Sequence, residues 1–288
     1  MNYRHAFHAG NFADVVKHAV LARILVHLKQ KPAAFRVIDT HAGAGVYDLA
    51  GAEAGRTGEW RRGIARLFGP DAAPLPDPAR ELLAPYLDAV AGFNPAGKLT
   101  VYPGSPALVA AMLRSQDRLI ACELEPKAAT ALEHRLRGDP RAKAVAIDGW
   151  TALGAYVPPK ERRGLVLIDP PFEQPDEFSR LVQGIEAAHR KWPTGSYLLW
   201  YPVKDAKDVT SFVRKLGRLG VGKMLRIELI LATGSEDLGL RGSGLIAVNP
   251  PWTLHDELKV LLPALGAALR HDSKAVTTLE WLAAETAR

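Results

Sequence analysis

Gly164-Leu-Val-Leu-Ile-Asp169-Pro170-Pro171-Phe172-Glu173 is the stretch of this chain that decides its fold. Aliphatic residues of the type that fills buried strands lead into an acid, two prolines and an aromatic ring. The pattern predicts a buried strand that ends in a rigid loop. Ligands of open α/β sheets bind at the carboxyl ends of the strands, so this loop is a candidate functional site.

The residue types in the loop suit one reaction, the methylation of an exocyclic amine on a nucleobase. The N6 amine of adenine is a poor nucleophile because its lone pair is delocalised into the ring, and acceptors that hold the NH2 group help to localise it. Asp169 can supply one acceptor, and the carbonyl of Pro170 a second, in a direction set by the fixed φ of proline. Phe172 offers a face for base stacking, worth about 1–3 kcal/mol. The alternative is that the prolines only end a strand and Asp169 is a turn residue.

Further acids follow predicted strands elsewhere in the chain. The aliphatic stretches that end in an acid are Phe35 to Asp39, Leu119 to Glu123 and Ala144 to Asp148. Gly43 and Gly45 allow a close approach of backbone to ligand, and an acid at position 123 can accept the ribose hydroxyls of a nucleoside cofactor. Parallel strands that end in acids on one edge predict a nucleoside pocket across Asp39, Glu123 and Asp148.

Two classes of protein other than a methyltransferase are alternatives for this chain. An NAD-linked oxidoreductase would also use a glycine-rich turn, but Asp48 stands where the third glycine of a dinucleotide fingerprint belongs. That class also leaves the Asp-Pro-Pro-Phe loop unexplained. A non-catalytic RNA-binding protein is disfavoured by the complete set of acids.

Several segments are together typical of one protein family. They are Tyr3 to His18, Asp39 to Gly45, Arg56 to Glu59, Tyr102 to Pro106, Arg162 to Pro171, Leu199 to Pro202 and Asn249 to Trp252. On these motifs the chain resembles the Rossmann-like methyltransferases that use S-adenosylmethionine. More narrowly, it is similar from Tyr3 to about Trp281 to the bacterial 23S rRNA adenine-N6 methyltransferase family known as RlmJ. Phe172 stands where tyrosine is commonest, so the ring is kept and the hydroxyl is absent.

The resemblance implies a fold and an activity. The expected fold is α/β, a Rossmann-like class I methyltransferase with a mostly parallel seven-stranded sheet, helices on both faces and an inserted helical subdomain. The expected activity is methylation of the exocyclic N6 amine of a specific adenine in 23S rRNA, with S-adenosyl-L-methionine as cofactor. Methylation of adenine N6 in DNA or in another RNA is the nearest alternative, because the motif itself does not select the polymer.

The resemblance also implies roles for individual residues. His18 and His41 would contact the cofactor, with Lys17 as a further candidate nearby. The predicted cofactor-binding residues are His18, Asp39, His41, Gly43, Ser105, Glu123, Asp148, Gly149 and Asp169. Asp169, Pro170 and Phe172 are the predicted catalytic residues, and Tyr3 would contact the RNA. Without the resemblance, His18 in its amphipathic helical pattern would be read as a surface or packed histidine.

The long interval between the glycine-rich turn and Glu123 predicts an insertion, because more than seventy residues lie where a simple βαβ unit needs about thirty. Residues 49–98 are predicted to form the helical subdomain. Residues 1–48 and 99–288 would form the methyltransferase domain.

Whole-chain composition agrees with an RNA-modifying enzyme. The chain has 288 residues, 48% of them hydrophobic, and a formal net charge of +6, which favours an anionic partner such as 23S rRNA. Its single cysteine excludes an intrachain disulfide and a cysteine-based zinc cluster. We therefore expect a cytoplasmic monomer with no metal and no membrane span.

Asn249-Pro250-Pro251-Trp252 is a second segment that fits the amine-methylating pattern. It follows the second of two predicted antiparallel strands, 223–231 and 243–248, and 276–282 is a candidate terminal strand. In the class that the chain resembles, the seventh strand runs against the others and ends at the opposite edge of the sheet. The sequence therefore favours Asp169 over Asn249 as the residue that carries the reaction.

Overall fold

The computed structural model describes residues 4–70, 72–231, 240–270 and 274–283, and Tyr3 lies outside these ranges. Helices in these ranges are α1 (Phe12–Lys29), α2 (Ala52–Thr57), α3 (Asp77–Gly92), α4 (Ser105–Met112), α5 (Pro126–Leu136), α6 (Gly149–Tyr156), α7 (Glu177–Lys191), α8 (Ala206–Gly217) and α9 (Leu254–Leu269). Strands are β1 (Arg36–Asp39), β2 (Val46–Asp48), β3 (Val101–Pro103), β4 (Arg118–Glu123), β5 (Ala142–Ala146), β6 (Gly164–Ile168), β7 (Ser196–Val203), β8 (Met224–Leu231), β9 (Gly242–Val248) and β10 (Ala275–Ala283).

The central sheet has the strand order β10-β8-β9-β7-β6-β1-β4-β5 among the described residues. The five neighbouring strands β7, β6, β1, β4 and β5 are parallel to one another. The pairs β7–β9, β9–β8 and β8–β10 are antiparallel. All five residues of β6 are buried, as its aliphatic sequence predicts for a strand covered on both faces. The α/β class with a mostly parallel sheet is confirmed.

The predicted number of seven strands is wrong by one. Residues Ala275–Ala283, which include β-branched side chains, form strand β10 and pair with β8. The described sheet therefore has eight strands. In addition, β2 and β3 form a separate antiparallel pair that the sequence analysis did not predict.

The register of the parallel strands brings the predicted acids to one edge. Asp39 pairs with Ala121 on β4 and with Leu167 on β6. Glu123 and Asp169 therefore each lie two residues beyond Asp39, on either side of it. Asp148 lies two residues beyond Ala146, the partner of Glu123 on β5.

Asn249 lies at the opposite edge of the sheet. Residue Val248, at the end of β9, pairs with Tyr197 near the start of β7, because the two strands are antiparallel. The Asn249 side-chain amide donates hydrogen bonds to the carbonyls of Pro193 and Gly195, both at 2.8 Å. The side chain thus closes a turn far from the acids, as the predicted strand direction requires.

Residues 49–98 hold α2, α3 and two short 3-10 helices, 59–62 and 64–66. Apolar residues of α3, including Leu83 and Tyr86, belong to the same buried cluster as Val20 of α1. The helical content of the segment is as predicted, and its separation as a subdomain stays a prediction.

Candidate active site

A cavity of about 1090 Å³ opens at the edge of the sheet where the acids meet. It is larger than the usual range of ligand pockets, about 300–1,000 Å³, so it can hold a cofactor together with part of a second substrate. The predicted site residues that line it are Lys17, His18, His41, Gly43, Ser105, Glu123, Asp148, Gly149, Asp169, Pro170 and Phe172. Asp39 stands behind the wall and is joined to it by Ser105, whose hydroxyl donates to Asp39 Oδ2 at 2.6 Å.

Glu123 is fixed at the end of β4 by backbone donors. The N–H of Gly43 donates to Oε2 at 2.7 Å, and the N–H of Glu125 donates to Oε1 at 2.8 Å. Gly43 has φ +63, and a Cβ at this position would lie 2.2 Å from the hydroxyl of Tyr47. The glycine is therefore required for the turn that holds the carboxylate, and remaining lone pairs of Glu123 can still accept hydrogen bonds from a ligand.

His41 is held as a neutral acceptor. The Thr40 hydroxyl donates its one hydrogen to the carbonyl of Leu167 at 3.0 Å, so at 2.8 Å it must accept from Nδ1–H of His41. Burial lowers the pKa of His41 to about 4. A Cβ on Gly149 would lie 2.5 Å from Nε2 of His41, so glycine is needed for this close approach.

His18 is also buried and neutral. Its Nδ1 forms a 2.7 Å hydrogen bond with the hydroxyl of Tyr102, which in turn bonds the hydroxyl of Tyr86 at 2.9 Å. Burial lowers the pKa of His18 to about 3. Its Nε2 is buried without a hydrogen-bond partner. Such groups are costly unless a ligand or water satisfies them, which fits a residue of a binding wall.

Asp169 is one end of a buried chain of charges. The Lys17 ammonium lies 2.5 Å from Asp169 Oδ2 and 2.9 Å from Asp14 Oδ1. Asp14 also accepts from the N–H of Gly10 at 2.9 Å and bonds Nε2 of His5 at 3.0 Å. Burial alone would lower the pKa of Lys17, but the two carboxylates raise it above its usual value, so the ammonium stays charged.

Aromatic rings form the wall beyond Asp169. Phe172, with φ +52, packs edge to face against Phe178 and Trp200, with ring centroids 5.0 and 5.7 Å away. The indole N–H of Trp200 donates to the hydroxyl of Ser243 at 3.0 Å. The Lys17 ammonium lies 5.9 Å from the centre of the same indole. Trp200 and Phe172 are thus both available to an aromatic ligand in the cavity.

Several residues of this site were not predicted from the sequence. Asp14, Trp150, Glu177, Arg180 and Trp200 all line the cavity. Trp200 could have been found, because it lies within a strand, β7, in a segment that carries the family resemblance. Asp14 could also have been found, because it lies in the segment Tyr3 to His18 and its partners His5, Gly10 and Lys17 are close in sequence.

The rim of the cavity carries charges of both signs, and its half-buried acids include Glu53, Glu59, Glu125 and Glu173. Exposed or half-buried cations on it are Arg4, Arg62, Lys127, Arg180 and Lys204. Arg4 is partly neutralised by Glu53, at 2.9 Å. Within the described residues, no group of three metal-ligating side chains is found, and no helix has the length and hydropathy of a membrane span.

Comparison with known proteins gives concordant matches. A sequence model of the family described as "Ribosomal RNA large subunit methyltransferase D, RlmJ" matches residues 32–283. The chain is 41% identical over 285 residues to "Ribosomal RNA large subunit methyltransferase J" of Escherichia coli, covering 99% of this chain and 100% of that protein. It is 40% identical over 286 residues to the protein of the same name from Haemophilus influenzae, with 99% and 100% covered.

A solved structure supports the same fold. The crystal structure of protein LPL1258 from Legionella pneumophila superposes with a TM-score of 0.86 at 34% identity. The match covers 95% of this chain and 98% of that one. This solved relative therefore shares the fold of the chain over nearly its whole length.

Proposed function

The chain belongs to the family of ribosomal RNA large subunit methyltransferases described as RlmJ, and from that premise we propose that it methylates the exocyclic N6 amine of one adenine in 23S rRNA. The methyl donor in this proposal is S-adenosylmethionine. The observation that carries the proposal is the position of Asp169-Pro170-Pro171-Phe172 on the wall of the same cavity that Glu123 lines.

The donor side of the cavity fits S-adenosylmethionine. Glu123 would accept the ribose hydroxyls, and the glycines at 43 and 149 leave room for close contact. His18 Nε2 and His41 Nε2 offer polar atoms to the remainder of the ligand. When bound, the donor supplies a methyl group made electrophilic by its cationic sulfonium.

Asp169 would hold the target amine. Lys17 occupies Oδ2 of this carboxylate, which leaves Oδ1 to accept one hydrogen of the amine. The carbonyl of Pro170 would accept the other. With both hydrogens held, the nitrogen lone pair is directed toward the methyl group, so the contribution of these residues is orientation.

The acceptor base would enter beside the aromatic wall. Unstacking an adenine costs a few kcal/mol, and stacking on an aromatic side chain returns about 1–3 kcal/mol. Phe172 and Trp200 line the cavity next to Asp169 and supply such faces. The net charge of +6 favours an anionic polymer as the carrier of that base.

Substitution of Asp169 tests the assignment. Asp169→Asn keeps the shape of the side chain but weakens its acceptor, and we expect methyl transfer to fall about 10²–10³-fold, a larger loss than that in S-adenosylmethionine affinity. The assay is transfer of labelled methyl to unmodified 23S rRNA, with tRNA and duplex DNA in parallel. Calorimetry measures the cofactor affinity.

Asn249→Gly is the matched control, because glycine tolerates the φ of +47 at that position. We expect it to keep full activity. Loss of transfer in this variant, with an active Asp169→Asn enzyme, would reverse the assignment. Transfer to tRNA or duplex DNA in preference to 23S rRNA would instead replace the proposed substrate.

A further inference from the structure

A second, smaller groove adjoins the active-site cavity. It lies between α6 and α7, and Trp150 and Arg180 line both spaces. Its volume is about 260 Å³. Ordinary ligand pockets span about 300–1,000 Å³, so this groove suits a single base or sugar-phosphate unit rather than a whole cofactor.

The groove has the chemistry of a nucleotide contact. The Arg180 guanidinium lies 5.0 Å from the centre of the Trp150 ring and is held by Glu177 Oε1 at 3.1 Å. Lys191 bends across the far end, where its ammonium donates to the carbonyl of Gly154 at 2.8 Å. Of the described residues that line the groove, Arg180 and Lys191 are cationic and none is acidic.

Small residues keep the groove open. A Cβ on Gly184 would lie 2.9 Å from the ring of Trp150, so the α7 backbone meets the indole edge directly. Ala187 is exposed on the same side of α7, one turn further along. Arg180 and Lys191 are about 16 Å apart along the helix axis. A nucleic acid strand rises about 3.4 Å per nucleotide, so with one nucleotide in the groove the adjoining phosphates can run along α7 between these two cations.

We propose that this groove binds a nucleotide of the substrate RNA that flanks the target adenine. This inference rests on the proposed function. The flanking base lies against Trp150 and Arg180, and the backbone phosphates run from Arg180 toward Lys191. Trp150 and Arg180 line both the cavity and the groove. An RNA strand that places its adenine at Asp169 can therefore continue directly into the groove.

Charge changes along α7 test the proposal. Ala187→Glu places an anion in the groove, Lys191→Glu reverses its distal charge, and Arg190→Glu makes the same change on a neighbouring exposed residue that does not line it. For each of the two groove variants we expect the KM for 23S rRNA to rise roughly fivefold or more, since phosphate contacts dominate affinity. The kcat and the calorimetric affinity for S-adenosylmethionine should stay at wild-type values.

The salt dependence adds a second measurement. Loss of one phosphate contact lowers the slope of log affinity against log salt by about 0.7 for a single strand. We expect this change in Lys191→Glu and not in Arg190→Glu. Equal effects of all three variants, or a wild-type KM in both groove variants, would overturn the proposal. Failure of the wild-type protein to methylate rRNA at all would instead count against the proposed function.

Discussion

At the scale of single residues, Asp39 is a carboxyl group that folding removes from water. Its side chain is fully buried, Ser105 donates to one oxygen, and the other oxygen has no partner. Burial raises the pKa of Asp39 to about 7, from a usual value of 3.8. The folded state therefore binds this proton more tightly than the unfolded state. The resulting stability is fully present below about pH 4 and is lost as the pH rises to about 7.

Asp39→Asn should remove this pH dependence, because an amide does not ionise. Between pH 5 and pH 8 we expect the wild-type free energy of unfolding to fall, relative to that of the variant, by on the order of 2 kcal/mol. Urea denaturation at both pH values measures the difference. Parallel pH profiles for the two proteins would contradict the inferred burial cost.

The position of the acids at one edge of the sheet could be predicted from the sequence, but the residues that contact them could not. Asp39 and Glu123 end strands, and Asp148 and Asp169 follow strands. A parallel sheet brings such positions to one edge regardless of loop conformation. The contact of Lys17 with Asp169 joins residues 152 positions apart. No local pattern encodes a pair of that kind, because it depends on how α1 packs across the finished sheet.

At the scale of elements, Gly164 sets the start of β6 against β1. Its φ is +153, and a Cβ there would lie 1.8 Å from the carbonyl oxygen of Arg36. Gly164→Ala should therefore disturb the β1–β6 pairing and destabilise the protein by about 3 kcal/mol, from overpacking and backbone strain together. Chemical denaturation of the purified variant measures the change.

Gly154→Ala in α6 is the comparison, since nothing lies within 4 Å of a Cβ at that position. Alanine there should stabilise the protein by about 0.4–1 kcal/mol through the entropy of the unfolded chain. Similar stability losses in both variants would show that the close contact at Arg36 is not the cause.

Most elements could be predicted because their signals are local. The predicted antiparallel pair 223–231 and 243–248 corresponds closely to β8 and β9, and the candidate strand 276–282 lies within β10. The pair β2–β3 was missed because each strand has only three residues. Three residues are too few for an alternating pattern to be recognised.

At the scale of the whole molecule, binding of the cofactor product should stabilise the fold. S-adenosylhomocysteine at a hundred times its Kd adds about 2.7 kcal/mol to the free energy of unfolding, which corresponds to a rise in Tm of about 5 °C for a chain of this size. NAD should leave the Tm unchanged. Differential scanning calorimetry with each ligand separates a methyltransferase from an oxidoreductase.

Glu123→Gln provides the control for that measurement. The amide keeps the size of the side chain but presents one acceptor oxygen instead of two, so the rise in Tm with S-adenosylhomocysteine should shrink. A rise with NAD, or an undiminished rise in Glu123→Gln, would argue against the assigned ribose contact.

The ion pair between Lys17 and Asp169 joins the first long helix to the loop that carries the proposed catalytic carboxylate. Asp14 holds the same ammonium from the helix side, and all three groups are largely shielded from water. Pulling the helix outward would leave opposite charges separated in surroundings of low polarity. The amino-terminal helix and the loop after β6 are thus coupled through this ion pair, so a displacement of either is transmitted to the other.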